Sequence, residues 1–246
     1  VSAPRFFIDA ALAAGKEIDL PSDLAHHALR VLRLRNGDPI ALFNGRGGEF
    51  AAELRRDRNE TRARVLAFDG VERESPLRLT LIQALVAADK LDWIVEKAVE
   101  LGVARIVIAP TQRSVVRLDA ARGARRLEHW RQIVRAACSQ CGRNRLPALD
   151  FHGSLDAALA AVPADQPRLL LSPAASAGLP SRLAGPIAAL AVGPEGGFTD
   201  AELRHAAGAG FTAVRLGPRI LRTETAGLAA LAALQASSGD LTVAAR

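Results

Sequence analysis

Two short glycine-bearing stretches late in the chain have the residue types needed to hold a ligand. The first, at 186–202, reads PIAALAVGPEGGFTDAE, an apolar run that breaks into Gly193-Pro194-Glu195-Gly196-Gly197. Glycine lets a ligand approach the main chain and leaves N–H and C=O groups free to bond it. Thr199, followed three residues later by Glu202, forms the pattern of a capping box and predicts a helix opening at Asp200. Strand, tight loop and helix N-terminus in succession make the junction at which α/β proteins place ligands. A second such junction, LGPRILRTETA at 216–226, follows shortly after.

Other chemistries are excluded or weakened by what is missing. There is no G-x-x-x-x-G-K-[ST], so a P-loop nucleotide site is not expected. The first strand of the later α/β region runs into LVAAD at 85–89 without glycine, which argues against a Rossmann dinucleotide site. The two cysteines, Cys138 and Cys141, form a C-x-x-C pair, a spacing used by redox motifs and by half of a zinc site. No second pair exists and the segment reads as helical, so they are expected to be small buried or half-buried thiols. His26, His129, His152 and His205 have no ligand-like spacing, and no metal site is expected.

The elements that must position these loops form two groups. Residues 4–72 read as a small β-rich module with strands near 5–8, 17–20, 39–43, 48–54 and 61–68 and turns at NGRGG and RRDRNE. A helix is predicted over 24–34, with Leu24, His27, Val31 and Leu34 at helical spacing and Arg30 and Arg33 projecting from it. The result is a small barrel or curled sheet, a common shape among nucleic-acid-binding modules. A charged connector, VERESP at 71–76, leads into alternating strands and helices, which imply a parallel sheet covered on both faces. The expected division is 1–72 and 73–246. No apolar run approaches the roughly 18–20 residues of a spanning helix, and no signal peptide opens the chain, so a soluble, cytoplasmic protein is expected.

Charge separates the parts further. The net charge of +6 sits in the middle third: residues 73–150 carry fourteen basic and eight acidic side chains, whereas the flanking parts are balanced. Within it, 105–145 holds ten arginines opposed only by Asp119 and Glu128. Such a run is either a solvated face or a phosphate-binding surface, for which arginine's planar fork is suited.

Together, VGPEGGFTDAE (192–202) and LGPRILRTETA (216–226) resemble the two C-terminal signatures of the RsmE family, SPOUT-class methyltransferases acting on N3 of a uridine in 16S ribosomal RNA. KLDWIVEKAVELG (90–102), TQRSVV (111–116), Trp130, Gln140, Arg143–Pro147, His27 with VLR (31–33) and Gly37–Asp38 match in the same order. The resemblance implies an α/β fold with a deep trefoil knot, preceded by a PUA-like β-barrel. It also implies S-adenosylmethionine (SAM) as methyl donor, a homodimer, and 16S rRNA, within the small ribosomal subunit, as partner. Another SPOUT target, a ribose 2′-hydroxyl or a tRNA base, and a non-catalytic RNA-binding protein are the alternatives.

Carried onto this sequence, the resemblance gives SAM-binding positions at Leu171, Gly193, Glu195, Gly196, Gly197, Leu216, Gly217, Ile220, Leu221, Arg222, Thr223 and Ala226. For Thr223 and Thr225, helix capping competes with a binding role. Methylation at N3 requires loss of a proton and stabilisation of the resulting anion. Arg222 stays protonated and suits the anion or a phosphate. Glu195 or Glu224 could take the proton, though Glu195 could instead bond loop amides and Glu224 could pair with Arg222. Arg5, Arg30, Arg33, Arg113, Arg117, Arg143 and Arg145 are the expected RNA contacts, as phosphate clamps that position the RNA.

Overall fold

A computed structural model describes residues 3–57, 60–118 and 120–242. Two compact units emerge, the first comprising Val1–Glu74 with Cys138–Leu146 and the second Ser75–Ala137 with Pro147–Arg246. The expected boundary at 72/73 falls two residues before this division, and the first unit also takes in a distant piece of chain.

The first unit is built on a five-stranded sheet in the order β1-β3-β4-β5-β2. Its strands are β1 (Arg5–Phe7), β2 (Glu17–Asp19), β3 (Pro39–Phe43), β4 (Glu49–Asp57) and β5 (Glu60–Asp69). β1 pairs with β3 in parallel and the other pairs are antiparallel, with a bulge between Ala51 and Ala52. Alternation along these strands points Phe6, Ile40, Leu42, Leu54 and Val65 into one core. Arg58 and Asn59, in the expected RRDRNE turn, lie outside the described residues. The single helix predicted over 24–34 is a correction: α1 (Ser22–His26) passes into a π-helical turn at His27–Val31. Arg33 then takes a left-handed conformation, φ 56°, which ends the helical run before Leu34. A period-3.6 reading has no means of registering the wider turn.

The second unit carries six parallel strands in the order β11-β9-β10-β6-β7-β8. These are β6 (Arg78–Ala84), β7 (Arg105–Ala109), β8 (Ala148–Phe151), β9 (Arg168–Leu171), β10 (Ile187–Val192) and β11 (Thr212–Val214). Helices α2 (Ala88–Glu100), α3 (Ala120–Cys141), α4 (Leu155–Ala160), α5 (Asp200–Gly208) and α6 (Thr223–Ser238) lie between and after them, the end of α3 from Cys138 onward belonging to the first unit. The near-continuous apolar runs of β6, β7 and β10 reflect burial on both faces, as a parallel sheet demands. In α2, Leu91, Ile94, Val95, Ala98 and Val99 recur at helical spacing and are buried, and the helix packs against α6. The first strand in sequence, β6, is central, so the chain reverses its direction of growth between β6 and β10. Ligands gather at the carboxyl ends of strands flanking such a switch point. After β11 at the edge, the chain returns to lay α6 over β10 and β6. The 172–186 connection touches this returning segment twice, through a Gly178–Arg215 bridge and a bond from Leu183 N–H to Ser238 Oγ. Among the described residues, no helix is long and apolar enough to cross a membrane.

Candidate active site

The carboxyl ends of β9, β10 and β11, with the first turn of α2, surround a cleft of about 670 Å³. Every residue expected to bind the cofactor, from Leu171 through Gly193–Gly197 and Leu216 to Ala226, lines it. Of the three expected catalytic groups, Arg222 and Glu195 line the cleft, and Glu224 lies one residue beyond Thr223, next to it.

The Gly193–Gly197 loop is held from three sides. At its far end, Thr199 caps α5, and the reciprocal bond from Thr199 N–H to Glu202 completes the capping box. Buried Glu202 also accepts from Gln112 N–H at 2.8 Å, tying α5 to the 111–116 loop. From that loop Arg113 donates to the carbonyls of Gly196 at 2.8 Å and Phe198 at 3.4 Å. A side chain at 196 would put its Cβ 3.2 Å from the Arg113 Cβ, so the glycine is set by this close approach. Gly197 is required for a different reason, a φ of 68°.

Thr223 makes the third tie. Its hydroxyl donates to the Gly193 carbonyl at 2.6 Å and accepts from Gln83 Nε2 at 3.2 Å. Helix capping does not occupy it: Arg222 is the N-cap residue of α6 and makes no side-chain cap bond. Thr223 therefore fastens the cleft loop to the start of α6 and the end of β6.

Lys90 was not singled out for a role by the sequence, yet it lines the cleft. Its Nζ lies 2.8 Å from Glu195 Oε1 and 3.9 Å from Glu224 Oε2. The hydrogen bond from Lys90 holds the Glu195 carboxyl below its ordinary range, and the same bond raises the Lys90 ammonium. The available signal was position: Lys90 sits in the first turn of the helix that follows the central strand. Arg215 and Arg219, also unassigned, line the cleft as well.

The seven expected RNA contacts separate by environment. Arg5 and Arg143 are a correction, because a phosphate clamp needs an accessible guanidinium. Arg143 is 4 % exposed and bidentate to Glu74, at 3.0 and 2.5 Å. Arg5 pairs with Glu49 and donates to Asn144 Oδ1 at 2.6 Å. Burial of those charges is matched by carboxylate and amide partners, so both knit the first unit together. Arg113 and Arg117 bond main-chain carbonyls, and Arg145 pairs with Glu72 at 3.1 Å. Arg30 and Arg33 are exposed, with no acid partner among the described residues. Cys138 is buried, and burial pushes its thiol up to about 12; Cys141 is partly exposed. Among the described residues, no three His, Cys, Asp or Glu side chains gather as metal ligands would.

The lining suits an adenosine-like ligand. Leu171, Leu216, Ile220 and Leu221 provide apolar walls, while Gly193, Gly196 and Gly197 leave the main chain open. No atom lies within 4 Å of where a Cβ would stand at Gly197 or Gly217, so both leave room against the backbone.

Residues 73–235 match the model of an RNA methyltransferase domain, and residues 20–71 that of an RNA methyltransferase PUA domain. The ribosomal RNA small subunit methyltransferase E of Bacillus subtilis is 31% identical over 244 residues, covering 94% of this chain and 95% of that protein. The protein of the same name from Buchnera aphidicola (Schizaphis graminum) is 31% identical over 242 residues, covering 97% and 98%. Among solved structures, a putative methyltransferase of Legionella pneumophila in complex with SAM matches with a TM-score of 0.92 at 37% identity, covering 98% of this chain and 100% of that one. Ribosomal RNA small subunit methyltransferase E of Neisseria gonorrhoeae, bound to S-adenosyl methionine, matches at 0.87 and 39%, covering 98% and 100%. Cleft, strand order and these likenesses agree, and the chain belongs to the RsmE family of RNA methyltransferases, with a PUA-like first unit and a SPOUT-class second one.

Proposed function

We propose that this protein transfers the methyl group of SAM to N3 of a uridine in small-subunit (16S) ribosomal RNA, as a cytoplasmic homodimer. The observation that carries the reading is the single cleft in which both glycine loops, Arg222 and the Lys90–Glu195 pair meet. SAM, when bound, supplies an electrophilic methyl group. The main chain of Gly193, Gly196, Gly197, Leu216, Ile220 and Leu221 would hold adenine and ribose, with Leu171 closing the apolar wall. Neutral backbone donors and acceptors match the adenine edge, and aliphatic side chains cover its faces.

N3 of uracil is a weak acid whose anion spreads charge onto the flanking carbonyls. Arg222, exposed at the cleft and permanently charged, stabilises that anion. Glu195 is a poor acceptor for the N3 proton because Lys90 keeps it ionised and depressed. Its part is to hold the loop through Lys90. Glu224, 3.9 Å from Lys90 and without a direct hydrogen bond to it, is the carboxylate left to receive the proton. Much of the acceleration then comes from orientation in the cleft. The first unit would hold the RNA through Arg30 and Arg33.

The test supplies the purified protein with labelled SAM and 30S subunits that lack the modification. Nucleoside mass spectrometry should find the label on N3 of a uridine. Label on a ribose hydroxyl, or none, rejects the proposal.

A further inference from the structure

Most arginines expected to grip RNA are already engaged, and a different set is free. Five cations line the cleft: Lys90, Arg113, Arg215, Arg219 and Arg222. Lys90 is spent on Glu195 and Arg113 on the Gly196 carbonyl. Arg215, Arg219 and Arg222 are exposed and have no acid partner among the described residues. Arg222 already has a role at the base, which leaves Arg215 and Arg219 unassigned.

The backbone of Arg215 is tied on both sides. Arg215 N–H donates to Ala177 O and Arg215 O accepts from Leu179 N–H, both within 3.2 Å. Gly217, at φ 64°, and Pro218 then set a turn that presents Arg219. Two forked donors thus stand at the cleft with no acid partner among the described residues, an arrangement that calls for anionic oxygen from the ligand.

We infer that Arg215 and Arg219 clamp backbone phosphates of single-stranded RNA on either side of the nucleotide being methylated. A base acted on at its Watson–Crick edge must be unstacked, so the strand beside it is single and its phosphates are accessible. The inference rests on the methyltransferase reading, and the SAM carboxylate is the other source of anionic oxygen within reach of the same cleft.

The experiment measures SAM affinity by calorimetry, and affinity for unmodified small-subunit rRNA across a salt series, for wild type, the Arg215→Ala/Arg219→Ala pair and the Arg215→Lys/Arg219→Lys pair. The alanine pair should leave SAM affinity unchanged, weaken RNA binding, and make the log–log salt slope shallower by about 1.4, two single-strand contacts at roughly 0.7 each. The lysine pair should restore the slope, which a merely structural lesion would not allow. Weaker SAM binding with an unchanged slope assigns the arginines to the cofactor and overturns the inference, as does no change in either. Wild-type protein that binds rRNA with this salt dependence but transfers no methyl group breaks the activity reading and leaves the clamp standing.

Discussion

Replacing Thr223 by valine removes one oxygen and keeps the shape. That oxygen is the donor to Gly193 O at 2.6 Å and the acceptor from Gln83 Nε2 at 3.2 Å, in a residue only 6 % exposed. Valine leaves the Gly193 carbonyl facing a methyl group, an orphaned buried acceptor that costs about 1–3 kcal/mol. Gln83 Nε2 keeps its bond to Ala84 O at 3.1 Å, so its loss is one ordinary hydrogen bond, about 1 kcal/mol. Thr223→Val should therefore destabilise the protein by about 2–4 kcal/mol, measured by urea unfolding at fixed protein concentration. Thr223→Ser retains the hydroxyl and should lose far less. In the Gln83→Leu/Thr223→Val double variant the two effects should be less than additive, because the donor has gone with its acceptor. A valine variant as stable as wild type, or strict additivity in the cycle, refutes the reasoning.

Three further outcomes are expected. Lys90→Met removes the donor that depresses Glu195, so that carboxyl should titrate at higher pH, as followed by NMR. In the wild type the depressed Glu195 stabilises the fold above its ordinary range and loses this only as pH falls through the lowered value. The raised Lys90 keeps its share until pH climbs past its own raised value. A Glu195 titration unmoved by the substitution would falsify the pairing. Arg222→Ala should lower kcat by roughly 10²–10³ with little change in SAM affinity, since its side chain acts on the developing anion; equal loss of both contradicts that role. With its thiol pushed up to about 12, Cys138 should resist iodoacetamide at pH 8 while partly exposed Cys141 reacts, and rapid native labelling of Cys138 refutes the burial.

Local rules made part of this molecule legible. The capping box at Thr199 and Glu202, the apolar run of β10 and the glycines at 193–197 are signals written within a few residues, and the structure realises them. The parallel sheet follows from alternation of strands and helices, and the late glycine loops from their motif. Long-range pairing was illegible. Nothing in Arg143 announces Glu74, 69 positions away, and nothing in Thr223 announces Gly193, 30 away. Arginine clusters therefore read as a phosphate surface when several of them are internal struts. The π-helical turn at His27–Val31 escaped because its neighbours have the spacing of an ordinary helix.

The first unit is N-terminal in sequence but is not finished there. Its Arg5 bonds Asn144, Asn144 bonds the Val71 carbonyl, and Glu72 and Glu74 receive Arg145 and Arg143. A chain made from its N-terminus at roughly 5–20 residues per second must wait about 4–15 s between the arrival of Glu74 and that of Leu146. During that interval the five-stranded sheet stands with Glu72 and Glu74 lacking the arginines they pair with, while the strands of the next unit are already emerging. Cutting the gene between the units would make the gap permanent, so dissection should yield a front fragment that aggregates and a back fragment trailing an unsatisfied basic loop. The unit that is begun first is thus completed only after more than half of the chain has been made.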